Sequence, residues 1–404
     1  MTELEWLDGG ITAVPGILAG GVAAGIKPGG KKDLALIYSS TPARVAAVFT
    51  SNQVKGAPVV VSMEHARSGT AQAILASSGC SNVCTGERGI RDAREMARLA
   101  GELLRISATQ VLVAATGVIG VPLPMDRIRA ALPKLVKSLS PRGGRPAAEA
   151  ILTTDTRTKE AALRLELGGR SVTIGGIAKG VGMLEPHLAT MFCFIATDAV
   201  IARGPLTSVT RRAVDRSFNR ITVDSDQSTS DTVAVLANGL AENTPLVAGG
   251  RWLRQFAAGL EAVMDKLARM LVSDGEGATK LVAVAVRGAS SRRDALAAAR
   301  SVANSPLVKT AINGQDPNWG RIMMALGKSS ARVDQDKVSI AFDDERLVER
   351  GMLREGAKLD RLRHVMAQPE YTITIDLGLG RGEERVWTCD LSEEYVRING
   401  KYTT

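Results

Sequence analysis

The sequence predicts a layered α/β fold, with sheets in the middle and helices outside. Strand-like runs of β-branched and apolar residues alternate with amphipathic helical patterns along the whole chain, and no fixed-period repeat indicates a solenoid. The composition, 45% apolar and 23% charged, is typical of globular proteins. Because a single core stops growing near roughly 250–300 residues, a chain of 404 residues predicts two domains or one large unit with two halves.

In the first half of the chain, predicted strands alternate with predicted covering helices. Apolar runs between Gly, Pro and Ser predict strands at 34–39, 45–50, 58–63 and 110–114. Apolar residues at helical spacing, with charges opposite, predict helices at 88–105 and 124–139. The polar segment 140–149 (SPRGGRPAAE) is the best candidate for a linker before a new unit, which would open with a hairpin at 161–177.

The second half continues both patterns. Helices are predicted at 207–219, 229–242, 252–272 and 291–305, and strands at 280–286, 337–342, 371–377 and 385–389. The glycine-rich stretch at 376–382 follows a strand without opening a helix, so it is predicted to be a hairpin turn. The C-terminal segment YVRINGKYTT is strand-like and is expected to pack into the fold.

Composition and charge exclude several classes of function. Six Phe, four Trp and four Tyr are few for stacking nucleobases or for a membrane-interface belt. The formal net charge of +9 is scattered along the chain, so neither nucleic acid nor a membrane is an expected partner. The acidic start MTELEWLDGG lacks the features of a secretory signal, and no uncharged apolar run approaches ~20 residues. We therefore expect a cytoplasmic protein.

Cysteines and glycine-rich motifs give no support for a metal or a nucleotide cofactor. The four cysteines (Cys80, Cys84, Cys193 and Cys389) are too few and scattered to staple this chain, which favours a reducing compartment. Cys80 and Cys84 have no second pair and no nearby His, so no zinc site is predicted. The stretch GGIAKGVG at 175–182 lacks the spacing of a phosphate-binding loop.

Histidine is scarce, which restricts the chemistry available for acyl transfer. His65 and His364 lie in charged helical stretches and are expected to be solvated surface groups, whereas His187 lies in an unusual segment. Nucleophilic catalysis by a Ser-His-Asp or Cys-His arrangement requires a histidine as base. With so few histidines, another base is favoured.

The unusual segment is AKGVGMLEPHLATMFCFIATDA, residues 178–199. Gly, Pro and small residues predict an irregular loop that leads at Thr190 into the buried strand TMFCFIAT. A threonine at this place suits an N-terminal-nucleophile enzyme, in which cleavage of the preceding bond frees an α-amine beside the hydroxyl. Such an amine, with a reference pKa of about 7.7–8.0, accepts the hydroxyl proton without any histidine. From these residues alone, an ordinary strand-entry threonine stays an open alternative.

The segment KGVGMLEPHLATM closely resembles the self-cleavage and nucleophile motif of the ornithine acetyltransferases, also called the glutamate N-acetyltransferases of arginine biosynthesis. Similar blocks occur in matching order over nearly the whole chain. These blocks are GIKPGGKKDLALI (25–37), AATGVIG (114–120), AILTTDT (150–156), SDGEGATK (273–280), LVKTAINGQDPNWGRI (307–322) and the terminal YVRINGKYTT. Three stretches depart from the family pattern, at 77–86, at 223–232 and at Val181, and leave the acetyl donor open.

The resemblance implies a fold, a cleavage and an assembly. It implies an α-β-β-α sandwich of two units, similar to the ornithine acetyltransferase fold. The chain would cut itself between Ala189 and Thr190, giving chains of residues 1–189 and 190–404. Two processed copies would associate as an α2β2 heterotetramer, so each chain's own cleaved fragment is an expected partner.

The resemblance also implies roles for individual residues. Thr190 would be the nucleophile, and Thr116 and Gly117 would form the oxyanion hole, whose donors each contribute about 10²–10³ in rate. Substrate contacts transfer to Thr153, Lys179, Thr190, Glu276, Asn399 and Thr404. We expect Lys179 to hold the α-carboxylate of the substrate and Glu276 to receive a substrate ammonium group.

The function implied is transfer of the acetyl group from N2-acetylornithine to glutamate by a ping-pong mechanism through an acetyl-Thr190 intermediate. The products would be ornithine and N-acetylglutamate. Some family members also use acetyl-CoA, which is then a co-substrate; no other cofactor is expected. One alternative is an N-terminal-nucleophile amidohydrolase or aminopeptidase on a related fold, which hands the acyl group to water. The other is an amino-acid-binding protein without chemistry.

Overall fold

The computed structural model describes residues 4–185 and 191–401. The described chain divides into two compact units, as its length predicts. The first unit contains residues 4–185, 191–219 and 226–271, and the second contains residues 220–225 and 272–401. The first unit therefore contains residues of both predicted cleavage products, 1–189 and 190–404. The cleavage itself stays a prediction.

The first unit consists of a large sheet with helices on its faces. Its strands are β1 (Glu5–Leu7), β2 (Ile17–Val22), β3 (Leu34–Phe49), β4 (Thr70–Cys80), β5 (Val111–Val118), β6 (Lys159–Leu167), β7 (Arg170–Lys179), β8 (Phe192–Thr197) and β9 (Thr232–Ala237). Its helices are α1 (Ala57–Ala66), α2 (Gly86–Leu104), α3 (Met125–Lys137), α4 (Gly144–Ala150), α5 (Arg203–Arg216) and α6 (Arg251–Ser273), the last of which reaches the second unit's range.

One long strand connects two halves of this sheet. Within the described residues the strand order is β1-β6-β7-β8-β9-β3-β4-β5, with β2 also paired to β3. The pairing of β3 with β4 shifts register between Tyr38 and Ala43, and the part of β3 after this shift pairs with β9. The strands predicted at 34–39 and 45–50 are therefore one strand with an irregularity between them.

Alternate side chains of the same strands enter different cores, because successive residues of a strand point to opposite faces. Ile74 of β4 and Leu112 of β5 pack in a core with Phe192 and Phe194 of β8. The residues next to Ile74 and Leu112 in the chain contribute to a second core with helices α1, α2 and α3. The first core lies between the two halves of the sheet, and the second lies between one half and its covering helices.

Helix α6 covers the opposite outer face. Gly259 of α6 lies against Leu163 and Ile174, and Leu267 of α6 lies beside Gly176 of β7. The first unit therefore has the predicted α-β-β-α order, with buried apolar strands in the middle.

The second unit is a smaller mixed sheet with its own core. Its strands are β10 (Leu281–Ala289), β11 (Ser339–Phe342), β12 (Glu345–Glu349), β13 (Met352–Leu353), β14 (Glu370–Asp376) and β15 (Gly382–Cys389). Its helices are α7 (Arg292–Ala303), α8 (Pro306–Asn313), α9 (Trp319–Gly327), α10 (Leu359–Ala367) and α11 (Glu393–Asn399). Among the described residues the strand order is β13-β12-β11-β14-β10-β15.

Two predictions failed where short apolar runs were assigned the wrong period. The predicted strand at 58–63 lies in helix α1, which begins beside Pro58, a residue that favours the first turn of a helix. Ser62 of this helix donates to the carbonyl of Val113 over 2.6 Å and accepts from its N–H over 2.7 Å, at the last strand of the sheet path. The predicted helix at 229–242 contains strand β9, whose six residues are all buried.

The predicted linker at 140–149 was also wrong. Residues 144–150 form α4, and Ala147, Ala148 and Ala150 are fully buried in the core between the sheet halves. A Cβ on Gly143 would lie only 1.7 Å from the carbonyl oxygen of Ala19, so a side chain there is incompatible with this packing. The small residues therefore serve close packing rather than flexibility.

The last two corrections concern the C-terminal region. The glycine-rich stretch is not a hairpin turn, because β14 and β15 lie on opposite sides of β10 and do not pair with each other. The C-terminal segment predicted to be strand-like begins inside helix α11, whose first turn carries Glu393 and Glu394, where negative charge stabilises the helix dipole. Within residues 4–185 and 191–401, no helix combines the length and apolar character needed to span a bilayer.

Candidate active site

Thr116 and Lys179 meet inside the first unit. Thr116 lies near the end of β5 and Lys179 ends β7, and each residue is only 1% exposed. The ammonium Nζ of Lys179 donates to Oγ1 of Thr116 over 3.2 Å. Because an ammonium group has only donors, Thr116 Oγ1 must accept this bond, which leaves its own hydroxyl proton available for another acceptor. Thr116 is thus prepared as a hydrogen-bond donor, the property an oxyanion hole requires.

Gly117 follows Thr116 at a place where the backbone is crowded. Its φ is +126°, and it pairs with Gly79 of the parallel strand β4. A Cβ on Gly117 would lie 2.5 Å from the carbonyl carbon of Gly79. Only glycine combines this φ with such a close approach of two backbones. Gly117 therefore allows the backbones of β4 and β5 to approach closely at the end of β5.

A buried carboxylate connects Thr153 to the end of β7. Asp155 accepts hydrogen bonds from the N–H of Thr153 over 3.1 Å, from the N–H of Gly180 over 2.9 Å and from the ammonium of Lys159 over 2.6 Å. Burial raises the pKa of Asp155, but the ammonium groups of Lys179 and Lys159 outweigh it, so the net shift is downward. The ionised carboxylate thus fixes the backbone on both sides of the predicted site.

The residues that carry the predicted cleavage lie outside the described residues. Ala189 and Thr190 lie there, as do His187 and the predicted substrate residue Thr404. Residue 191 is described, and its N–H donates to Oδ1 of Asp231 over 2.8 Å. Burial raises the pKa of Asp231 well above its usual range, although the bond from Met191 opposes the shift. A fully buried carboxyl group therefore holds the backbone that directly follows the predicted nucleophile.

Glu276 and Asn399 meet in the second unit. The side-chain Nδ2 of Asn399, the last residue of α11, donates to Oε2 of Glu276 over 2.8 Å. These two predicted substrate residues are 123 positions apart in sequence. The amide orients the carboxylate, which keeps further lone pairs for an amine or ammonium group of a ligand.

The loop that carries Glu276 is held at several points. Asp390 accepts from the N–H of Thr279 and from its hydroxyl, each over 2.7 Å. Ser392, just before α11, donates to the carbonyl of Gly277 over 2.6 Å. The same loop therefore places Glu276 and receives the helix that carries Asn399.

Sequence reasoning missed the residues that position the predicted ones. Asp155 and Lys159 follow Thr153 within TTDTRTK, where Arg157 is charged as well, so charge alone did not single them out. Asp231 lies in a stretch noted only for its departure from the family pattern. His65, expected to be solvated, is partly buried, and its Nδ1 lies 2.8 Å from the carbonyl oxygen of Val111. Among the described residues no group of three or more His, Cys, Asp or Glu is arranged to hold a metal ion.

Comparisons with known proteins agree with the resemblance seen in the sequence. A model of the ArgJ family matches residues 18–404. The arginine biosynthesis bifunctional protein ArgJ of Symbiobacterium thermophilum is 50% identical over 405 residues, which cover 99% of this chain and 100% of the relative. The protein of the same name from Geobacter sulfurreducens is 50% identical over 391 residues, covering 97% of this chain and 100% of the relative.

A solved structure of a relative can also be compared with the fold of this chain. The crystal structure of arginine biosynthesis bifunctional protein ArgJ from Bacillus halodurans is 38% identical and superposes with a TM-score of 0.50, covering 52% of this chain and 98% of that chain. The family match spans almost the whole sequence, and full-length relatives share half of its residues. By sequence and by structure, this chain belongs to the ArgJ family.

Proposed function

We propose that this protein transfers the acetyl group of N2-acetylornithine to glutamate through an acetyl ester of Thr190. The observation that carries the proposal is the buried hydrogen bond from Lys179 to Thr116, which directs the Thr116 hydroxyl proton away from Lys179. A donor prepared in this way stabilises the oxyanion of an acyl-transfer reaction. The half-buried backbone of Gly117, the next residue, would supply a neighbouring N–H.

The reaction is a pair of acyl transfers. The α-amine of Thr190 takes the proton of its own hydroxyl as Oγ attacks the acetyl carbonyl of N2-acetylornithine. The carbon–nitrogen bond of the amide breaks, and ornithine leaves with the proton on its α-nitrogen. The neutral α-amine of glutamate then attacks the ester, Thr190 Oγ leaves and regains a proton, and N-acetylglutamate departs.

The α-amine of Thr190 requires that the Ala189–Thr190 bond be cut, giving chains of residues 1–189 and 190–404. The anchoring of the Met191 N–H by buried Asp231 supports this step, because it holds the peptide directly after the bond. Two cleaved copies would form an α2β2 assembly.

The proposal includes acetyl-CoA as a second acetyl donor. Both relatives described above are named bifunctional proteins, which supports two activities in this chain as well. In that second activity the thioester replaces the amide as the group attacked by Thr190, and glutamate is the same acceptor. No resident cofactor is needed for either donor.

The proposal is tested with purified protein, its Thr190→Ala variant and its Thr190→Ser variant. Mass spectrometry and N-terminal sequencing should find two chains in the native protein, the second starting TMFCF. Transfer of a labelled acetyl group to glutamate is measured from N2-acetylornithine and, separately, from acetyl-CoA. The alanine variant should stay uncut and inactive, whereas the serine variant, which keeps a hydroxyl, should still cut.

Three outcomes would overturn the proposal. Normal cutting or turnover in Thr190→Ala would rule out Thr190 as the nucleophile. Release of free acetate without N-acetylglutamate would indicate a hydrolase. An uncut native chain that binds amino acids without turnover would indicate a binding protein.

A further inference from the structure

Lys27 lies beside the predicted site residues of the first unit, and the proposed function gives it no role. It is partly exposed, and its ammonium donates to the carbonyl of Leu152 over 2.9 Å. Its Cγ would lie 3.1 Å from a Cβ built on Gly79. The side chain therefore passes over the end of β4 and reaches the segment that leads into Thr153.

Lys27 lies beside two parts of the predicted site in the first unit, the Thr153 segment and the predicted oxyanion hole. Leu152 directly precedes Thr153, a predicted substrate contact. Gly79 is the strand partner of Gly117 at the predicted oxyanion hole. The ammonium of Lys27 binds the Leu152 carbonyl, and the Cγ of the same side chain lies beside Gly79, so the cation is close to where the acetyl-bearing end of a substrate would sit.

The ammonium of Lys27 has unused donors. Within residues 4–185 and 191–401, the Leu152 carbonyl is its one hydrogen-bond acceptor, and no carboxylate forms an ion pair with it. Asp33 is nearby, but its carboxylate accepts from the backbone N–H groups of Ala24, Ile26 and Lys27, over 2.6, 2.6 and 2.9 Å. A partly exposed cation with two remaining N–H groups is suited to bind a ligand anion.

The electrostatic surroundings favour an added negative charge. Burial lowers the pKa of Lys27 to about 8, Asp33 and Asp155 oppose the shift, and the positive charges of Lys31 and Lys179 add to it. A ligand carboxylate would offset this destabilisation of the charged form. Lys179, which the sequence analysis assigned to the substrate α-carboxylate, is buried and already donates to Thr116, so Lys27 replaces it in that role in our proposal.

We propose that Lys27 binds the α-carboxylate of the amino-acid substrates at the acetyl-transfer site. This inference rests on the proposed function. Ornithine and glutamate share only one charged arrangement around the reacting nitrogen, an α-carboxylate on the same carbon. Their side chains carry opposite charges. A residue that binds the shared carboxylate would position the α-nitrogen in both half-reactions, and its loss should affect both amino acids.

The test compares ligands that differ only in this carboxylate. Ornithine and putrescine, which is ornithine without its carboxylate, are used as competitive inhibitors of acetyl transfer, and their N-acetyl forms as donors. In Lys27→Met, the inhibition constant of ornithine should rise about 10- to 100-fold. The constant for putrescine should change less than about 3-fold, since that ligand makes no ion pair with Lys27. Lys27→Arg should recover much of the ornithine binding.

A matched control is available in the same turn. Lys31 is exposed, and Lys31→Met removes the same charge. It should leave the ratio of the ornithine and putrescine constants as in the native protein. Equal effects of Lys27→Met on ornithine and putrescine, or no effect on either, would overturn the assignment. In each variant, mass spectrometry checks that both predicted cleavage products are present, and thermal unfolding checks that the midpoint temperature is unchanged.

The two proposals fail in different ways. A native protein that transfers no acetyl group would overturn the proposed function. An active native protein whose preference for ornithine over putrescine survives in Lys27→Met would overturn the role of Lys27 alone.

Discussion

The Lys179 ammonium lies 3.2 Å from the hydroxyl oxygen of Thr116, and both side chains are buried. The two residues are 63 positions apart, on strands that are not neighbours in the sheet. Inside the protein an ammonium group needs acceptors, and the Thr116 oxygen supplies one. The bond therefore keeps the Thr116 hydroxyl proton from pointing at Lys179 before any substrate arrives. This preorganisation is what an oxyanion hole requires.

Removal of the Thr116 hydroxyl should reduce catalysis more than binding. Thr116→Val keeps the shape of the side chain but removes its donor, so kcat for acetyl transfer should fall about 10²- to 10³-fold with little change in KM. Thr116→Ser, which retains a hydroxyl, should keep most of the activity. Steady-state kinetics with N2-acetylornithine checks both. A valine variant with unchanged kcat would contradict the assigned role.

A side chain at Gly117 should displace the end of β5. Gly117→Ala combines a φ of +126° with a Cβ 2.5 Å from the Gly79 carbonyl carbon, so we expect a loss of at least about 1–3 kcal/mol in stability and loss of acetyl transfer. Gly120→Ala is the matched control, because its φ is +82° but a Cβ there meets nothing within 4 Å. Urea unfolding and the transfer assay compare the two. Equal behaviour would show that crowding at Gly117 has no importance.

Asp155 should stabilise the protein at neutral pH but not in acid. Its pKa is lowered in the folded protein, so its contribution is complete above the unfolded pKa of about 4 and is lost as the pH falls below that value. Since Asp155→Asn breaks a buried ion pair with Lys159, it should cost about 3–5 kcal/mol at pH 7. The difference between the free energies of unfolding of the two proteins should shrink steadily as the pH falls from about 4 through the lowered pKa of Asp155. A difference that does not depend on pH would argue against an ionised Asp155.

The pH dependence of substrate capture should report Lys27. Because its pKa is lowered to about 8, Lys27 loses its charge above that pH in the free enzyme, and kcat/KM for N2-acetylornithine should then decline. Arginine stays protonated, so in Lys27→Arg this decline should move to a pH at least about one unit higher. The rise at lower pH, from the α-amine of Thr190, should be common to both proteins. An unchanged high-pH decline in Lys27→Arg would assign it to another group.

Sequence periodicity was sufficient where an element is long or has distinct ends. The charged and apolar faces of α2 and α6, the alternating strands β10 and β14, and the Gly168–Gly169 turn between β6 and β7 were all predicted. These signals are local, because each extends over enough residues to separate a period of 3.6 from a period of 2. The candidate chemistry at Thr190, Thr116 and Gly117 also came from sequence, through a motif and its resemblance to a family.

Short or small-residue segments required the tertiary structure. Helix α1 has a run of valines typical of a strand, and α4 has the composition of a linker. In each case burial against the sheet decided the conformation, and propensity over six to ten residues is too weak to oppose it.

The sequence by itself determined the family, the α/β character, the longer elements and the residue types available for acyl transfer. Only the tertiary structure decided which side chains meet. It brought Lys179 to Thr116, Asn399 to Glu276 and Lys27 to the neighbours of Thr153 and Gly117. The physical reason is that hydrogen bonds and ion pairs act over a few ångströms, whereas these partners are separated by tens to more than a hundred residues along the chain.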